Sequence, residues 1–176
     1  MAEENQVPSE NDEKQATGKG QVQFGLQRVY LKDLSFESPQ GVGAFKQKNW
    51  NPKINQDLNT AVNKVSDDLF EVILKITVNV EDEGKTVFLV EVQQAGLFGI
   101  GGTLEPKQLA HLLNTRCPEM IFPYARETVD SCAVKGGFPA IMLPPVNFDY
   151  LFMQAVQRAA QQAAQEEKDT GDITSN

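Results

Sequence analysis

The sequence predicts an α+β fold in which an antiparallel sheet comes first and helices follow. Apolar and polar residues alternate with a period of two at the start of the chain and again over 72–94, as strands require. A short polar turn, Glu81–Lys85, joins two such stretches, which is typical of an antiparallel hairpin. After Pro106 the apolar residues recur at helical spacing. Three or four strands followed by helices indicate an α+β domain.

The first predicted strand begins near Val22. Phe24 and Leu26 continue its alternation, and the apolar phase then slips to Val29 and Leu31. A slip of one residue in an alternating pattern predicts a bulge, here near 27–28.

The continuation of this strand places charges on one side. Leu34 and Phe36 can pack, while Asp33, Ser35 and Glu37 stand on the opposite face. Two carboxylates on one exposed face make a small acidic patch. The alternative is a solvated edge that discourages aggregation.

A turn at Ser38–Gly43 leads into Ala44–Leu58, which shows no sustained period. We expect a long irregular segment, either packed on the core or functional. The single tryptophan, Trp50, lies on it and is expected to anchor it to the core.

The strands Val72–Val80 and Thr86–Gln94 form the predicted hairpin. On the second strand Val90 and Val92 share one face with Phe88 and Gln94, while Leu89 and Glu91 share the other. Because neither face is cleanly polar, we expect one to be covered by the core and the other by a transient partner or a second subunit. A central strand with one tolerated charge is the alternative.

The glycine-rich stretch Gly99–Thr103 lacks the lysine and the spacing of a nucleotide-binding loop, so we interpret it as a hinge or tight loop. A helix is predicted from Pro106 to about Cys117, and a second from about Pro118 to Val134. A short strand is predicted at Phe138–Leu143, and a third helix from about Asn147 to Ala159.

Length and composition indicate one domain, at residues 21–160. Residues 1–20 are acidic and almost free of apolar side chains, and residues 161–176 are similarly polar. Such segments bury too little surface to offset the entropy of ordering, so we expect two disordered tails.

The formal net charge of −8 argues against nucleic acid and membrane surfaces as partners. The sequence has neither a bilayer-spanning apolar run nor a secretory signal, which predicts a cytoplasmic protein. Cys117 and Cys132 fit that compartment as free thiols. With His111 as the only histidine, no zinc pattern is present, and neither Cys132 nor Ser131 forms a recognised catalytic motif with it. We therefore predict no metal, no cofactor and no enzymatic activity.

Four runs of residues resemble the SecB family of bacterial protein-export chaperones. The resemblance covers roughly residues 22 to 157, in order, and leaves out both tails. The runs that carry it are Arg28–Pro39, Phe88–Gly96, Cys117–Glu127 and Pro144–Phe152.

The resemblance implies a four-stranded antiparallel sheet with helices packed on one side and a homotetramer built as a dimer of dimers. It also implies a cytosolic chaperone that binds unfolded precursor proteins, keeps them competent for translocation and delivers them to the SecA motor, without a cofactor or a metal. The alternative is a SecB-like oligomeric chaperone dedicated to a single partner, such as an antitoxin. Retention of Asp33, Glu37 and Glu91 favours export.

The resemblance also implies roles for particular residues. Gln56 stands where the family commonly has an apolar groove residue, and the Gly99–Glu105 loop differs from that of the family in amino-acid sequence. The SecA contact matches Asp33, Glu37, Leu89 and Glu91, and the client groove matches Trp50, Ile54, Leu58, Leu151 and Phe152.

We further expect the tetramer to form through the strand face that bears Val90, Val92 and Gln94. An apolar sheet face left open in a monomer promotes aggregation, whereas closed symmetry buries it.

Overall fold

The computed structural model describes residues 22–46 and 51–172. Four long strands form one antiparallel sheet in the order β1-β4-β3-β2, which confirms the predicted α+β class. The strands are β1 (Gln23–Glu37), β2 (Lys53–Ser66), β3 (Leu69–Asp82) and β4 (Lys85–Gly101). The helices are α1 (Pro106–Asn114), α2 (Arg116–Lys135) and α3 (Phe148–Asp172), and a 3-10 helix spans Gly41–Lys46.

One face of the sheet, which we call the inner face, is covered by α2. On β4 it carries Val90 and Val92, which pair with Val78 and Ile76 of β3, and all four side chains are buried. Gly96 continues this face, and a Cβ at Gly96 would lie 2.7 Å from Cγ2 of Ile121 on α2. The absence of a side chain at Gly96 therefore allows α2 to approach the sheet closely.

This packing makes the predicted tetramer interface wrong. Val90, Val92 and Gln94 lie on the inner face, where each is almost completely buried by the chain's own core. The sequence showed that both faces of β4 are partly apolar, but the face with Leu89 and Glu91 is the open one. A surface already covered by α2 is not available to a second subunit.

Strand β1 carries the predicted bulge and a second one. Its register with β4 shifts between Leu26 and Arg28, as expected, and again between Leu31 and Asp33. Each shift exchanges the faces to which odd and even residues point. After the second shift Asp33, Ser35 and Glu37 lie on the outer face, opposite α2.

The predicted irregular segment at Ala44–Leu58 is wrong in its second half. Residues 53–58 begin strand β2, an edge strand whose inner side carries Ile54, Leu58 and Val62 with Gln56 and Thr60 between them. An edge strand needs fewer apolar residues than a central one, so its alternation is diluted. Trp50 lies outside the described residues, and its predicted role as a core anchor is not addressed by the structure.

Two further element predictions were wrong. The predicted hinge at Gly99–Thr103 begins inside β4, where Gly99 pairs with Gly25 and Leu69. The predicted strand at Phe138–Leu143 is irregular. Its Met142 has a φ of 52°, and the Met142 backbone N–H donates to Oδ1 of Asp130 at 2.8 Å, so this segment does not pair with the sheet.

Helix α3 extends beyond its predicted end near Ala159 and reaches Asp172. Residues 161–172 are therefore helical where a disordered tail was predicted. Their alanine, glutamine, glutamate and lysine residues favour a helix even without an apolar stripe. Residues 1–20 and 173–176 lie outside the described part of the chain.

Candidate protein-docking surfaces

The outer face brings the predicted SecA-binding residues together. In the pairing of β1 with β4, Glu37 is opposite Leu89, Ser35 is opposite Glu91 and Asp33 is opposite Gln93. Side chains paired in this way lie about 5 Å apart at their Cβ atoms. Asp33, Glu37, Leu89 and Glu91 therefore form one surface, which we call the acidic face.

The carboxylates of the acidic face are exposed and only weakly engaged within the chain. The Ser35 hydroxyl donates to Glu91 at 3.3 Å, and the Gln93 amide donates to Asp33 at 3.4 Å. No lysine or arginine of the described residues forms an ion pair with Asp33, Glu37 or Glu91. Leu89 is half-buried and lies at one end of the face, opposite Glu37 and two residues from Glu91. The surface offers three negative charges with an apolar side chain at one end.

A second polar cluster stabilises the outer face at its other end. Glu71 on β3 accepts hydrogen bonds from Lys32 at 2.8 and 2.9 Å, from Asn63 at 2.7 Å and from the Tyr30 hydroxyl. These bonds, chiefly that from Lys32 and next that from Tyr30, lower the pKa of Glu71 from 4.5 to about 2. The same bond to Glu71 raises the pKa of Tyr30. No local pattern in the sequence predicted this cluster.

We expect Glu71→Gln to lower the free energy of unfolding by about 1–3 kcal/mol at neutral pH, because it removes a buried charge-assisted network. A lowered folded-state pKa contributes stability above pH 4.5 that is lost as the pH falls toward 2. Urea unfolding at one fixed protein concentration should show the difference between the two proteins shrinking across that window. A difference that stays constant from pH 5 to about pH 2 contradicts the role of Glu71.

The inner side holds a cleft between β2 and α3. It has a volume of about 230 Å³ and brings together three of the predicted groove residues, Leu58, Leu151 and Phe152. Ile54 lies on the same side of β2, is 45% exposed, and does not line the cleft. Gln56 projects between Ile54 and Leu58, and Trp50 is outside the described residues.

A contact between α1 and α3 borders this cleft, and no motif in the sequence predicted it. His111 Nε2 lies 3.0 Å from Oδ1 of Asp149, and the His111 ring packs edge-on against Phe152 with centroids 5.5 Å apart. These contacts connect α3 to α1 beside the cleft.

The candidate reactive groups are unsuited to catalysis. Burial raises the pKa of the Cys117 thiol to about 12 and also raises that of Cys132, so both thiols stay protonated. His111 is engaged with Asp149 rather than with a nucleophile. The part of the chain that the structure describes contains no group of three or more side chains suited to a metal ion. Within the same residues, no helix is both long enough and apolar enough to cross a membrane.

An open acidic surface and a cleft with apolar side chains on the other side of the sheet are typical of a protein that binds other proteins. Comparison with known proteins identifies its family. The family model described as "Preprotein translocase subunit SecB" matches residues 17–159. The chain therefore belongs to the SecB family, which is a family of protein-export chaperones and not of enzymes.

Curated relatives agree with this assignment. The chain is 52% identical over 166 residues to a protein-export protein SecB of Cellvibrio japonicus, covering 94% of this chain and 95% of that one. It is 56% identical over 146 residues to the protein of the same name from Hahella chejuensis, covering 82% and 91%.

A solved structure supports the fold. A Mycobacterium tuberculosis SecB-like chaperone, in complex with a ChAD peptide from an antitoxin, matches with a TM-score of 0.61. The match covers 70% of this chain and 90% of that one at 14% identity, so the likeness concerns the fold alone.

Proposed function

We propose that this chaperone holds unfolded precursor proteins in the cytosol in a translocation-competent state and delivers them to SecA, as a homotetramer that is a dimer of dimers. The observation that carries the proposal is the placement of two different surfaces on opposite sides of one sheet. The apolar cleft lies on the side of the helices, and the acidic face lies on the outer side. A client and the motor can therefore be bound at the same time.

The acidic face suits a basic segment of SecA with an apolar anchor. Three exposed carboxylates share this face with the half-buried Leu89, which neighbours Glu37 and Glu91, and none of the three is neutralised by an ion pair within the described chain. Charges arranged in this way mainly accelerate association and are screened by salt. We propose Asp33, Glu37, Leu89 and Glu91 as the SecA contact.

The cleft suits the side chains of an unfolded client. Leu58, Leu151 and Phe152 converge there, and Ile54 extends the apolar surface along β2. Edge strand β2 also offers backbone groups to which an extended chain can pair. We propose Trp50, Ile54, Leu58, Leu151 and Phe152 as the client groove.

The double substitution Leu58→Ala with Phe152→Ala should weaken capture of an unfolded precursor. The two truncations remove apolar area at about 25 cal/mol per Å², which we expect to cost roughly ten-fold or more in affinity. Fluorescence anisotropy with a labelled precursor, freshly diluted out of urea, measures this affinity. Val65→Ala with Met153→Ala removes exposed apolar groups outside the cleft lining and is the matched control. Unchanged precursor affinity in a protein that keeps its mass places the groove elsewhere.

The tetramer requires an interface other than the buried inner face of β4. Edge strand β1 spans 15 residues and pairs on one side only among the described residues, and its Leu31 and Leu34 are 47% and 41% exposed. Symmetric assembly of subunits can cover an open strand edge with exposed leucines and so protect it from aggregation. We propose that β1 contributes to a subunit interface.

The function as a whole is tested by forming a ternary complex. Sedimentation of the purified chain with SecA and a labelled unfolded precursor should give one species that contains all three. A precursor that is released as soon as SecA binds contradicts simultaneous binding. The dedicated-partner alternative is not favoured, because the similar curated proteins are named for protein export.

A further inference from the structure

The outer face does not end at the acidic face. Glu91 pairs with Thr77 of β3, which pairs with Asp57 of β2, and Gln93 pairs with Lys75, which pairs with Asn59. The rows that begin at Asp33 and Ser35 on β1 therefore continue across all four strands. Asp57, Lys75 and Asn59 are exposed.

Lys75 is the one cation in these two rows. It lies diagonally from Glu91 on one side and from Asp57 on the other, at about 7–8 Å between positions. No carboxylate of the described residues lies within ion-pairing distance of its ammonium. The ammonium of Lys75 and the carboxylates of Glu91 and Asp57 are all available to a partner.

A purely basic partner is poorly matched to this arrangement. Lys75 repels cations from the middle of a surface that otherwise attracts them, and unlike Lys32, which is held by Glu71, it has no internal role that requires its charge. A segment with one carboxylate among its cations fits the whole surface. A surface with a cation among its carboxylates also discriminates against polycations that contain no carboxylate.

We propose that Lys75 binds a carboxylate of the same basic segment that the acidic face binds, and so sets the register of that segment across the sheet. Asp57 receives a further cation of the segment on β2. The inference rests on the proposed docking of a basic partner, and it adds that this partner segment contains an acidic residue at a fixed place.

The direction in which the affinity for SecA changes when Lys75 is replaced tests this inference. Titration of the full chain with purified SecA, and separately with a polylysine peptide, is carried out at low ionic strength. Lys75→Gln should weaken SecA binding roughly two- to five-fold, the range of an exposed ion pair, and should tighten polylysine binding. Asp57→Asn should weaken both. Lys107→Gln, on α1, removes one exposed lysine away from the sheet and is the control.

The opposite outcomes separate this inference from the proposed function. If Lys75→Gln tightens SecA binding or leaves it unchanged, Lys75 does not bind an acidic residue of SecA, while docking itself stands. If Asp57→Asn changes neither affinity, the surface ends before β2. If the unaltered chain does not bind SecA, both proposals fall together.

Discussion

Val92→Asp should unfold the protein rather than shift it between oligomeric states. Val92 is 1% exposed, lies on the inner face beside Ile76, and is covered by α2. An unpaired carboxylate buried there costs several kcal/mol, which is a large part of the 5–15 kcal/mol that stabilises a typical domain. We expect loss of the cooperative thermal transition and of the circular dichroism spectrum of the folded protein.

Gln93→Asp is the matched control, because Gln93 is the next residue of β4 and its side chain lies on the open outer face. That variant should fold and keep its mass in sedimentation. A Val92→Asp protein that melts normally and sediments as dimers would restore the interface predicted from the sequence.

Glu91→Lys should abolish most SecA binding. Glu91 lies at the centre of the acidic face, between Ser35 and Thr77, and reversing its charge turns attraction for a basic segment into repulsion. We expect at least a ten-fold loss of affinity at low ionic strength, or about 1.4 kcal/mol, and a smaller loss for Asp33→Ala. Because the Debye length is about 8 Å at physiological ionic strength, binding by the unaltered chain should also weaken as salt is added.

Client capture and thermal stability should not change in these variants, since the cleft lies on the other side of the sheet. Glu127→Lys reverses an exposed charge on α2 and serves as the control. Normal SecA binding by Glu91→Lys across the salt range would mean that the acidic face is only a solvated surface. The docking site would then have to be sought on α3.

The central hairpin was predictable because its inner face is apolar at every second residue from Val72 to Val80. Strand β2 was not, because one side of an edge strand faces solvent and its inner side is interrupted by Gln56 and Thr60. The alternation of apolar and polar residues reflects which side chains are buried, so a strand with few buried side chains shows only a weak alternation.

The sequence alone could not predict which face of β4 is covered by the helices. Val90 and Leu89 are both apolar, and only the docking of α2 separates them. That docking depends on Ile121 meeting Gly96, a contact between residues far apart in the chain. The four residues of the acidic face were named by resemblance, but their adjacency follows from the register that the second bulge in β1 sets.

The strand order also has a consequence for folding. β2, β3 and β4 can pair in sequence as successive hairpins, whereas β1, made first, must wait for β4, and Ser35 and Glu91 lie 56 positions apart in the chain. Because closing a loop of that length costs more conformational entropy than forming the successive hairpins, we expect β1 to pair late. Asp33 and Glu37 join Leu89 and Glu91 only at this step. A nascent or partly folded chain therefore lacks the complete acidic face, so the surface that we propose for SecA exists only in molecules that have finished folding.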